Sequence, residues 1–456
     1  MTINLESLSY AEAPLIKVIP PGPLSKEYLE NQALHEGGVV SYPKRLPMAI
    51  RSAKGATIED MDGNRYIDFF GGAGVMAVGH SNPVVIQAIK EQLEDLTHAL
   101  DFPNPARRSL VEVLNKILPP ILSRITFGGP TGSDAVEAAI KLAKYNTKRI
   151  PVLAFEGGYH GMTAGALSLN SGVGPKEDFL PLVPEVHFVP YAYCYRCLFN
   201  KSVDMCQLEC AAYLDHVLED PHSGIVKPAA IIIEPVQGEG GSIVPPPQFL
   251  VRIREACDRH GIVLIADEIQ SGLGRTGAMF AFEHSGIVPD IITMSKALGG
   301  IGLPISGIAY REYLNTWPTG KHVGTFRGNV LAYAAGAAGL QFMLDQNLVN
   351  HALTLGAEML SWFKELEAMS SIVGEARGKG LMLGIELVKD KATKEPAPDA
   401  ARRLRTLCHT RGVLIEIGGH YGNVGRFLPP LVITQELAKK GFEIVAESVL
   451  KIEKEL

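Results

Sequence analysis

The feature that most constrains the fold is a series of short apolar runs between residues 100 and 320 that alternate with helix-patterned segments. Three of these runs are residues 229–234 (AAIIIE), 262–266 (IVLIA) and 290–294 (DIITM). Continuous apolar runs of this length are typical of strands buried on both faces of a parallel sheet. A helical segment at residues 248–260 separates the first two runs, as in a right-handed βαβ unit. The pattern predicts an α/β fold with a mostly parallel sheet.

The length of 456 residues is enough for two or three packed units. Hydrophobic residues make up 46% and charged residues 20% of the chain, which excludes a disordered protein. We expect an N-terminal arm and part of a small domain in residues 1–70, with hairpin-like strands in residues 56–70. The large domain is expected in residues 71–335. A C-terminal small α+β domain is expected in residues 336–456, with strand-like residues 380–387 and 413–416.

The charge balance disfavours two classes of partner. A formal net charge of -6 provides no general attraction for nucleic acid or for an anionic membrane. The uncharged residues 328–344 are too few for the roughly 20 apolar residues of a membrane span, so they predict a buried helix. Residues 1–20 contain Glu6 and Glu12 and lack the cationic and apolar regions of a secretory signal. We therefore expect a cytoplasmic protein that acts on small molecules.

Two polar residues follow neighbouring apolar runs. Asp267 comes directly after residues 262–266, and Lys296 follows residues 290–294 at a separation about the length of one βαβ unit. Ligands of open α/β sheets bind outside the carboxyl ends of the strands, so both side chains could face one crevice. The turn residues 297–300 (ALGG) after Lys296 would hold a desolvated, nucleophilic amine at the sheet edge. A helix-capping aspartate and a surface lysine are the alternative interpretation.

A glycine-rich segment, residues 127–134 (FGGPTGSD), precedes a helical pattern at residues 135–144. Thr131 and Asp134 have the spacing of a capping box, and the amides at such a helix end can bind phosphate. A simple capped helix is again the alternative. A phosphate site, an amine and a carboxylate together meet the requirements of pyridoxal phosphate. Lys296 would bind the cofactor covalently, and Asp267 would keep its pyridine nitrogen protonated.

Residues 272–277 (GLGRTG) match the G-x-G-x-x-G pattern of dinucleotide-binding proteins. An apolar helical stripe does not follow the motif, however. About twenty residues later, where an acidic ribose ligand belongs, the chain has Lys296. The sequence therefore disfavours a dehydrogenase.

Four motifs resemble those of the class III aminotransferase family, and the resemblance spans nearly the whole chain. They are residues 233–241 (IEPVQGEGG), 264–277 (LIADEIQSGLGRTG), 295–300 (SKALGG) and 324–329 (GTFRGN). The resemblance implies a pyridoxal-phosphate-dependent transferase of fold type I, like aspartate aminotransferase. This fold has a large domain with a mostly parallel sheet and a small α+β domain.

The resemblance also implies a set of cofactor-binding residues. They are Gly132, Ser133, Tyr159, His160, Glu234, Asp267, Gln270, Lys296 and Thr325. Lys296 and Asp267 are the catalytic residues, with Lys296 binding the cofactor and transferring the proton. Gly132 and Ser133 contact the phosphate, Tyr159 stacks on the ring, and Gln270 contacts the 3-oxygen. Thr325 matches a residue that reaches the phosphate of a neighbouring subunit, which implies a homodimer, or a higher even oligomer, with shared active sites.

The same resemblance implies substrate-binding residues. Arg426 matches an arginine that binds the substrate α-carboxylate, and Glu239 matches a glutamate that pairs with it when an ω-amine binds. Tyr42 and Ala73 are further candidates. At the position where 4-aminobutyrate and ornithine aminotransferases have an arginine, this chain has Met162. The motifs most resemble 2,4-diaminobutyrate:2-oxoglutarate aminotransferases, which implies a ping-pong transfer from a diamino or ω-amino acid to 2-oxoglutarate.

Two alternatives stay open. The segment 190–197 (PYAYCYRC) also resembles family members that racemise amino acids, and a 4-aminobutyrate or ornithine type of transaminase is a second possibility.

Four cysteines, Cys194, Cys197, Cys206 and Cys210, have a spacing that could hold structural zinc. Since their loops are short and the second pair has three intervening residues, we favour thiols and expect no metal.

Overall fold

The computed structural model describes residues 3–455, and positions 1, 2 and 456 lie outside the described residues. The chain divides into two compact units. Residues 84–342 form the large unit, whereas the residues up to 83 and those from 343 onward together form the small unit. The boundaries at 70/71 and 335/336 remain predictions from the sequence.

Within residues 3–455 the chain forms sixteen strands: β1 (Ile50–Lys54), β2 (Thr57–Asp60), β3 (Arg65–Asp68), β4 (Arg124–Phe127), β5 (Val152–Phe155), β6 (Val186–Val189), β7 (Ala230–Ile233), β8 (Val263–Asp267), β9 (Ile291–Met294), β10 (Gly307–Tyr310), β11 (Val373–Lys379), β12 (Met382–Asp390), β13 (Glu395–Pro396), β14 (Val413–Leu414), β15 (Glu416–Gly418) and β16 (Val424–Phe427).

The same described residues contain thirteen α-helical segments: α1 (Pro23–His35), α2 (Tyr42–Arg45), α3 (Gly71–Gly74), α4 (Pro83–Asp95), α5 (Pro105–Ile117), α6 (Gly132–Thr147), α7 (Ala164–Ser168), α8 (Glu209–Glu219), α9 (Pro247–His260), α10 (Val330–Asp345), α11 (Leu348–Met369), α12 (Pro398–Thr410) and α13 (Gln435–Lys454).

The large unit contains a seven-stranded sheet in the order β4-β10-β9-β8-β7-β5-β6. All neighbouring pairs from β9 to β6 are parallel, and only β10 runs against its two neighbours. The predicted α/β fold with a mostly parallel sheet is confirmed. The apolar runs identified in the sequence are β7, β8 and β9, in which almost every side chain is buried.

The connections on either side of β8 differ. Helix α9 joins β7 to β8, as the sequence predicts, and ends at Gly261 in the left-handed conformation. Between β8 and β9 the chain forms turns and a 3₁₀ helix, Ala281–Ser285, instead of an α-helix. The residues 272–277 lie in this connection, so the G-x-G-x-x-G match does not begin a helix.

The core of the large unit is formed by the apolar face of α6 and the sheet beneath it. Small residues of α6, among them Ala135, Ala139 and Ala143, are fully buried against β7, β8 and β10 side chains such as Ile232 and Ile265. Alanine lets helix and sheet approach closely, and helix α6 therefore has a fixed position above the strands.

The described residues of the small unit form two sheets. One has the order β1-β2-β3-β14, with the single parallel pair between β3 and β14. The other has the order β11-β12-β16-β15 with antiparallel pairs, and β13 pairs with β12. The strand-like residues 380–387 belong to β12. The run 413–416 divides between β14 and β15, which lie in different sheets.

No helix within residues 3–455 has both the length and the apolar composition needed to cross a bilayer. The uncharged segment predicted as a buried helix contains most of α10, whose side chains at Ala332, Ala335 and Leu340 are buried.

Candidate active site

Five parallel strands of the large unit end at the same edge of the sheet, and each is followed by predicted site residues. Strand β4 leads to the start of α6, β5 to Tyr159, and β7 to Glu234. Strand β8 ends at Asp267, and Lys296 follows β9. These segments surround a cavity of about 230 Å³. It is lined by Thr131, Gly132, Ser133, Tyr159, His160, Gly161, Glu234, Glu239, Asp267, Ile269, Gln270 and Lys296.

The cavity therefore brings together all but one of the predicted cofactor-binding residues, together with Glu239. The exception is Thr325, which is exposed and lines a different cavity with Leu100 and Phe102. The remaining candidates belong to the small unit. Arg426 is buried in β16, where its backbone pairs with Glu416 and Gly384.

Tyr42 and Ala73 have different settings in the small unit. Tyr42 begins the short helix α2, is exposed, and has its ring 5.4 Å from that of Phe70. Ala73 lies in α3 with φ of 59°, in a turn whose glycines also have positive φ. An alanine in this conformation is strained, so the turn is fixed by its surroundings.

The Asp267 carboxylate is fixed by three hydrogen bonds. Oδ1 accepts from the Ile269 amide at 3.1 Å and from the Thr293 hydroxyl at 2.8 Å. Oδ2 accepts from His160 Nδ1 at 2.7 Å. A carboxylate has about four acceptor sites, so Oδ2 retains the capacity for a further donor. This is the capacity that a protonated pyridine nitrogen requires.

His160 and Glu234 are buried beside Asp267, and their pKa values shift in ways that follow from this environment. Burial lowers the pKa of His160, but its hydrogen bond to Asp267 and the aspartate charge outweigh burial, and the pKa is raised overall. Burial raises the pKa of the Glu234 carboxyl to about 7, against the opposing charge of His160. The charge of Asp267 therefore favours the protonated forms of both side chains.

Lys296 has left-handed backbone geometry with φ of 45°, which is unfavourable for a residue with a Cβ atom. The preceding Ser295 is buried and donates its hydroxyl to the Ile305 carbonyl at 2.8 Å. At Gly300, a Cβ atom would lie 2.5 Å from the Ala335 carbonyl oxygen, so the turn requires glycine there. The strained turn directs the chain of Lys296 to the cavity edge.

The start of α6 has the features of a phosphate-binding helix end. The Asp134 carboxylate accepts from the Thr131 amide at 2.9 Å and from the Thr131 hydroxyl at 2.8 Å. A Cβ atom at Gly132 would lie 2.9 Å from Ile269 Cδ1, so this position accommodates glycine best. With a phosphate held here and a lysine and an aspartate on the same cavity, the residues present fit pyridoxal phosphate.

Two residues that support the site were missed by the sequence reasoning. Thr293 donates to Asp267, and it is the polar member of the otherwise apolar strand β9, a signal that could have identified it. Asn170 accepts from the His160 amide at 2.6 Å and donates to the Gly161 carbonyl at 2.8 Å. Nothing in the local sequence distinguishes Asn170 from an ordinary loop asparagine.

The cysteine spacing does not correspond to a metal site in the described part of the chain. Within residues 3–455, no group of three or more His, Cys, Asp or Glu side chains is arranged to hold a metal ion. The six cysteines form no disulfide among these residues.

The chain is similar to known aminotransferases in sequence and in fold. The family model described as "Aminotransferase class-III" matches residues 40–449. The chain is similar to a diaminobutyrate--2-oxoglutarate aminotransferase of Rhizobium meliloti, with 43% identity covering 89% of each chain. It is also similar to an alanine/serine racemase of Pyrococcus horikoshii, with 35% identity covering 96% of this chain and 93% of the relative. The fold is similar to that of an amine transaminase from an uncultivated Pseudomonas species, solved in its PLP-bound form. The two structures superpose with a TM-score of 0.83 at 29% sequence identity, and the match covers 91% of this chain and 98% of the other.

Proposed function

The chain belongs to the class III aminotransferase family, and we propose that it transfers the amino group of L-2,4-diaminobutyrate to 2-oxoglutarate. Pyridoxal 5'-phosphate is its cofactor. The observation that carries the proposal is the convergence of Lys296, Asp267 and the start of α6 on one cavity. When bound, the cofactor supplies an electron sink for the carbon that carries the amino group.

Each of these residues has a distinct part in the proposed reaction. The amides at Gly132 and Ser133 bind the phosphate at the positive end of α6. Asp267 holds a proton on the pyridine nitrogen. A unit charge pair near 4 Å contributes about 4 kcal/mol at an effective dielectric constant near 20. Lys296 Nζ removes a proton from the substrate carbon and delivers it to the cofactor.

The substrate assignment rests on the relatives and on the family resemblance of Arg426 and Glu239. We propose that Arg426 binds an α-carboxylate and that Glu239 accommodates an ω-amine, with Tyr42 and Ala73 as further contacts. A relative of this chain bears the name of diaminobutyrate as donor and 2-oxoglutarate as acceptor. Met162, in place of an arginine, disfavours the 4-aminobutyrate and ornithine types.

We also propose a homodimer, or a higher even oligomer, in the cytoplasm. Thr325 is exposed and lines a cavity other than the one that contains Lys296. This position is consistent with Thr325 contacting the phosphate of a neighbouring subunit. Light scattering of the purified protein measures the oligomer size, and a monomer would contradict shared active sites.

Racemisation is the second candidate because a racemase is among the similar proteins. Both reactions begin when Lys296 removes a proton from the substrate carbon. In transamination Lys296 would not return that proton to the α-carbon, whereas in racemisation a proton would be returned to the opposite face of the α-carbon. The test is to incubate the holoenzyme with L-2,4-diaminobutyrate, with and without 2-oxoglutarate. We expect glutamate only when 2-oxoglutarate is present. D-amino acid formed without any keto acid would identify a racemase.

A further inference from the structure

Glu234 joins two loops that line the cavity. We define the Tyr159 loop as residues 156–161 and the Glu239 loop as residues 237–241. The Glu234 carboxylate is buried, with the residue 6% exposed. Its Oε1 accepts from the Tyr159 amide and its Oε2 from the Gly238 amide, each at 2.9 Å. A single side chain therefore binds the backbone of both loops.

Further contacts pack the same two loops against each other. The Gln237 carboxamide donates to the Glu156 carbonyl at 2.8 Å. At Gly240, a Cβ atom would lie 2.8 Å from the Gly157 carbonyl oxygen. Outside the two loops, the Gln270 carboxamide packs against Gly238, where a Cβ atom would overlap its oxygen. There is thus little space for one loop to move without the other.

We propose that Glu234 is a positioning residue that couples cofactor binding at the Tyr159 loop to the order of the Glu239 loop. The inference rests on the proposed function in one respect, namely that the cofactor ring stacks on Tyr159. Binding of the cofactor then stabilises the Tyr159 loop, and Glu234 transmits this stabilisation to the Gly238 amide. The substrate-facing Glu239 becomes ordered before substrate arrives, which lowers the entropic cost of binding it.

Hydrogen exchange of the backbone amides tests this coupling without reference to turnover. In the wild-type protein, adding pyridoxal 5'-phosphate to the apoprotein should slow exchange in both loops. In Glu234→Gln, the carboxamide keeps one acceptor oxygen, so it can accept from the Tyr159 amide or from the Gly238 amide but not from both. We expect the cofactor to slow exchange in the Tyr159 loop of this variant, while the Glu239 loop exchanges about tenfold faster than in the wild type. Glu156→Gln is the matched control, since its exposed side chain lies in the same loop.

Gly238→Ala gives a second route to the same result if Glu234→Gln does not fold. The added methyl group would overlap the Gln270 carboxamide and contact Glu234 Oε2, so it crowds the hydrogen bond between the Gly238 amide and Glu234. The hydrogen bond between the Tyr159 amide and Glu234 is left in place. We again expect the cofactor to slow amide exchange in the Tyr159 loop but not in the Glu239 loop. Equal protection of both loops by the cofactor in Glu234→Gln or in Gly238→Ala would overturn the proposal, and so would a wild-type Glu239 loop that the cofactor leaves unchanged. Because exchange is measured without substrate, a protein that fails to transaminate diaminobutyrate could still show the coupling.

Discussion

At the scale of single residues, the site combines one strained residue with one firmly held residue. Lys296 has positive φ on a turn that requires glycine at Gly300, whereas Asp267 is fixed by Ile269, Thr293 and His160. Such strain persists only where the surrounding structure imposes it. Both side chains line one cavity. A substitution at each position tests the role of that side chain separately.

Lys296→Ala should abolish turnover, because it removes the amine that binds the cofactor and moves the proton. We expect the cofactor to remain bound without a covalent bond, held by the start of α6 and by Asp267. Mass spectrometry after borohydride reduction detects the covalent bond in the wild type and its absence in the variant. Lys227→Ala, at an exposed lysine of the same unit, is the control. Retained activity in Lys296→Ala would contradict the mechanism.

Asp267→Asn should lower kcat by up to about a thousandfold, which corresponds to losing about 4 kcal/mol of charge interaction with the pyridine nitrogen. The amide still has an oxygen for hydrogen bonds, so the fold should persist. Steady-state kinetics with saturating cofactor measure the effect, with Asp178→Asn at an exposed position as the control. Near-normal kcat would show that Asp267 does not hold the ring proton.

At the scale of elements, helix α6 links the core to the site. Its buried alanines fix the helix above the sheet, and its first turn carries Gly132 and Ser133 to the cavity. Ser133 Oγ also accepts from the Met162 amide at 3.1 Å, and Glu137 Oε1 accepts from the Thr163 hydroxyl at 2.6 Å. The first turns of α6 therefore hold the chain that follows Tyr159.

Asp134→Ala should destabilise the apoprotein by about 1 kcal/mol, because it removes the acceptor of the Thr131 amide at the start of α6. For a unit of this size, the corresponding decrease in Tm is about 2–4 °C. Weaker binding of pyridoxal 5'-phosphate is expected as well, and both effects are measurable by thermal unfolding and equilibrium dialysis. Asp399→Ala, in the first turn of α12 and exposed, should have a smaller effect. Equal effects of the two substitutions would contradict a special role for this helix end.

The elements also show what the sequence could and could not predict. Strands β7, β8 and β9 were predictable because burial on both faces requires continuous apolar runs. The structure of the connection between β8 and β9 was not predictable. Its length would accommodate an α-helix, but the chain forms glycine-containing turns and a 3₁₀ helix instead. The short strands β14 and β15 were predicted as a single strand. Each is too short to show an alternating pattern that would reveal that it belongs to a different sheet. The cavity residues came from family motifs, whereas Asn170 depends on contacts formed only in the folded chain.

At the scale of the whole molecule, buried titratable groups in both units make stability depend on pH. Burial raises the pKa of Glu234 and of Glu268 from an ordinary 4.5 to about 7. Burial lowers the pKa of His409 from 6.5 to about 4. The folded protein therefore binds more protons than the unfolded chain at the two carboxyls and fewer at His409. The stability contributed by His409 increases as pH rises from about 4 to 6.5. The stability contributed by the two carboxyls decreases as pH rises from 4.5 to about 7.

Glu268→Gln isolates one of these contributions. Glu268 Oε1 accepts from the Phe282 amide and Oε2 from the Ser271 hydroxyl, so the residue is packed within the β8–β9 connection. The amide imitates the protonated acid and does not ionise, so the Tm of the apoprotein should decrease less between pH 6 and 8 than that of the wild type. Thermal unfolding across this range measures the difference, with the exposed Glu255→Gln as the control. A steeper decrease in Glu268→Gln would reverse the sign that burial predicts.

The most direct test of the central claim is a visible absorption spectrum of the purified holoprotein during two additions. L-2,4-diaminobutyrate is added first, without any keto acid, and 2-oxoglutarate second. Transamination predicts that the absorption band of the lysine-bound cofactor disappears when the donor is added and returns when 2-oxoglutarate is added. A band that persists after the donor is added would contradict the proposed transfer from diaminobutyrate.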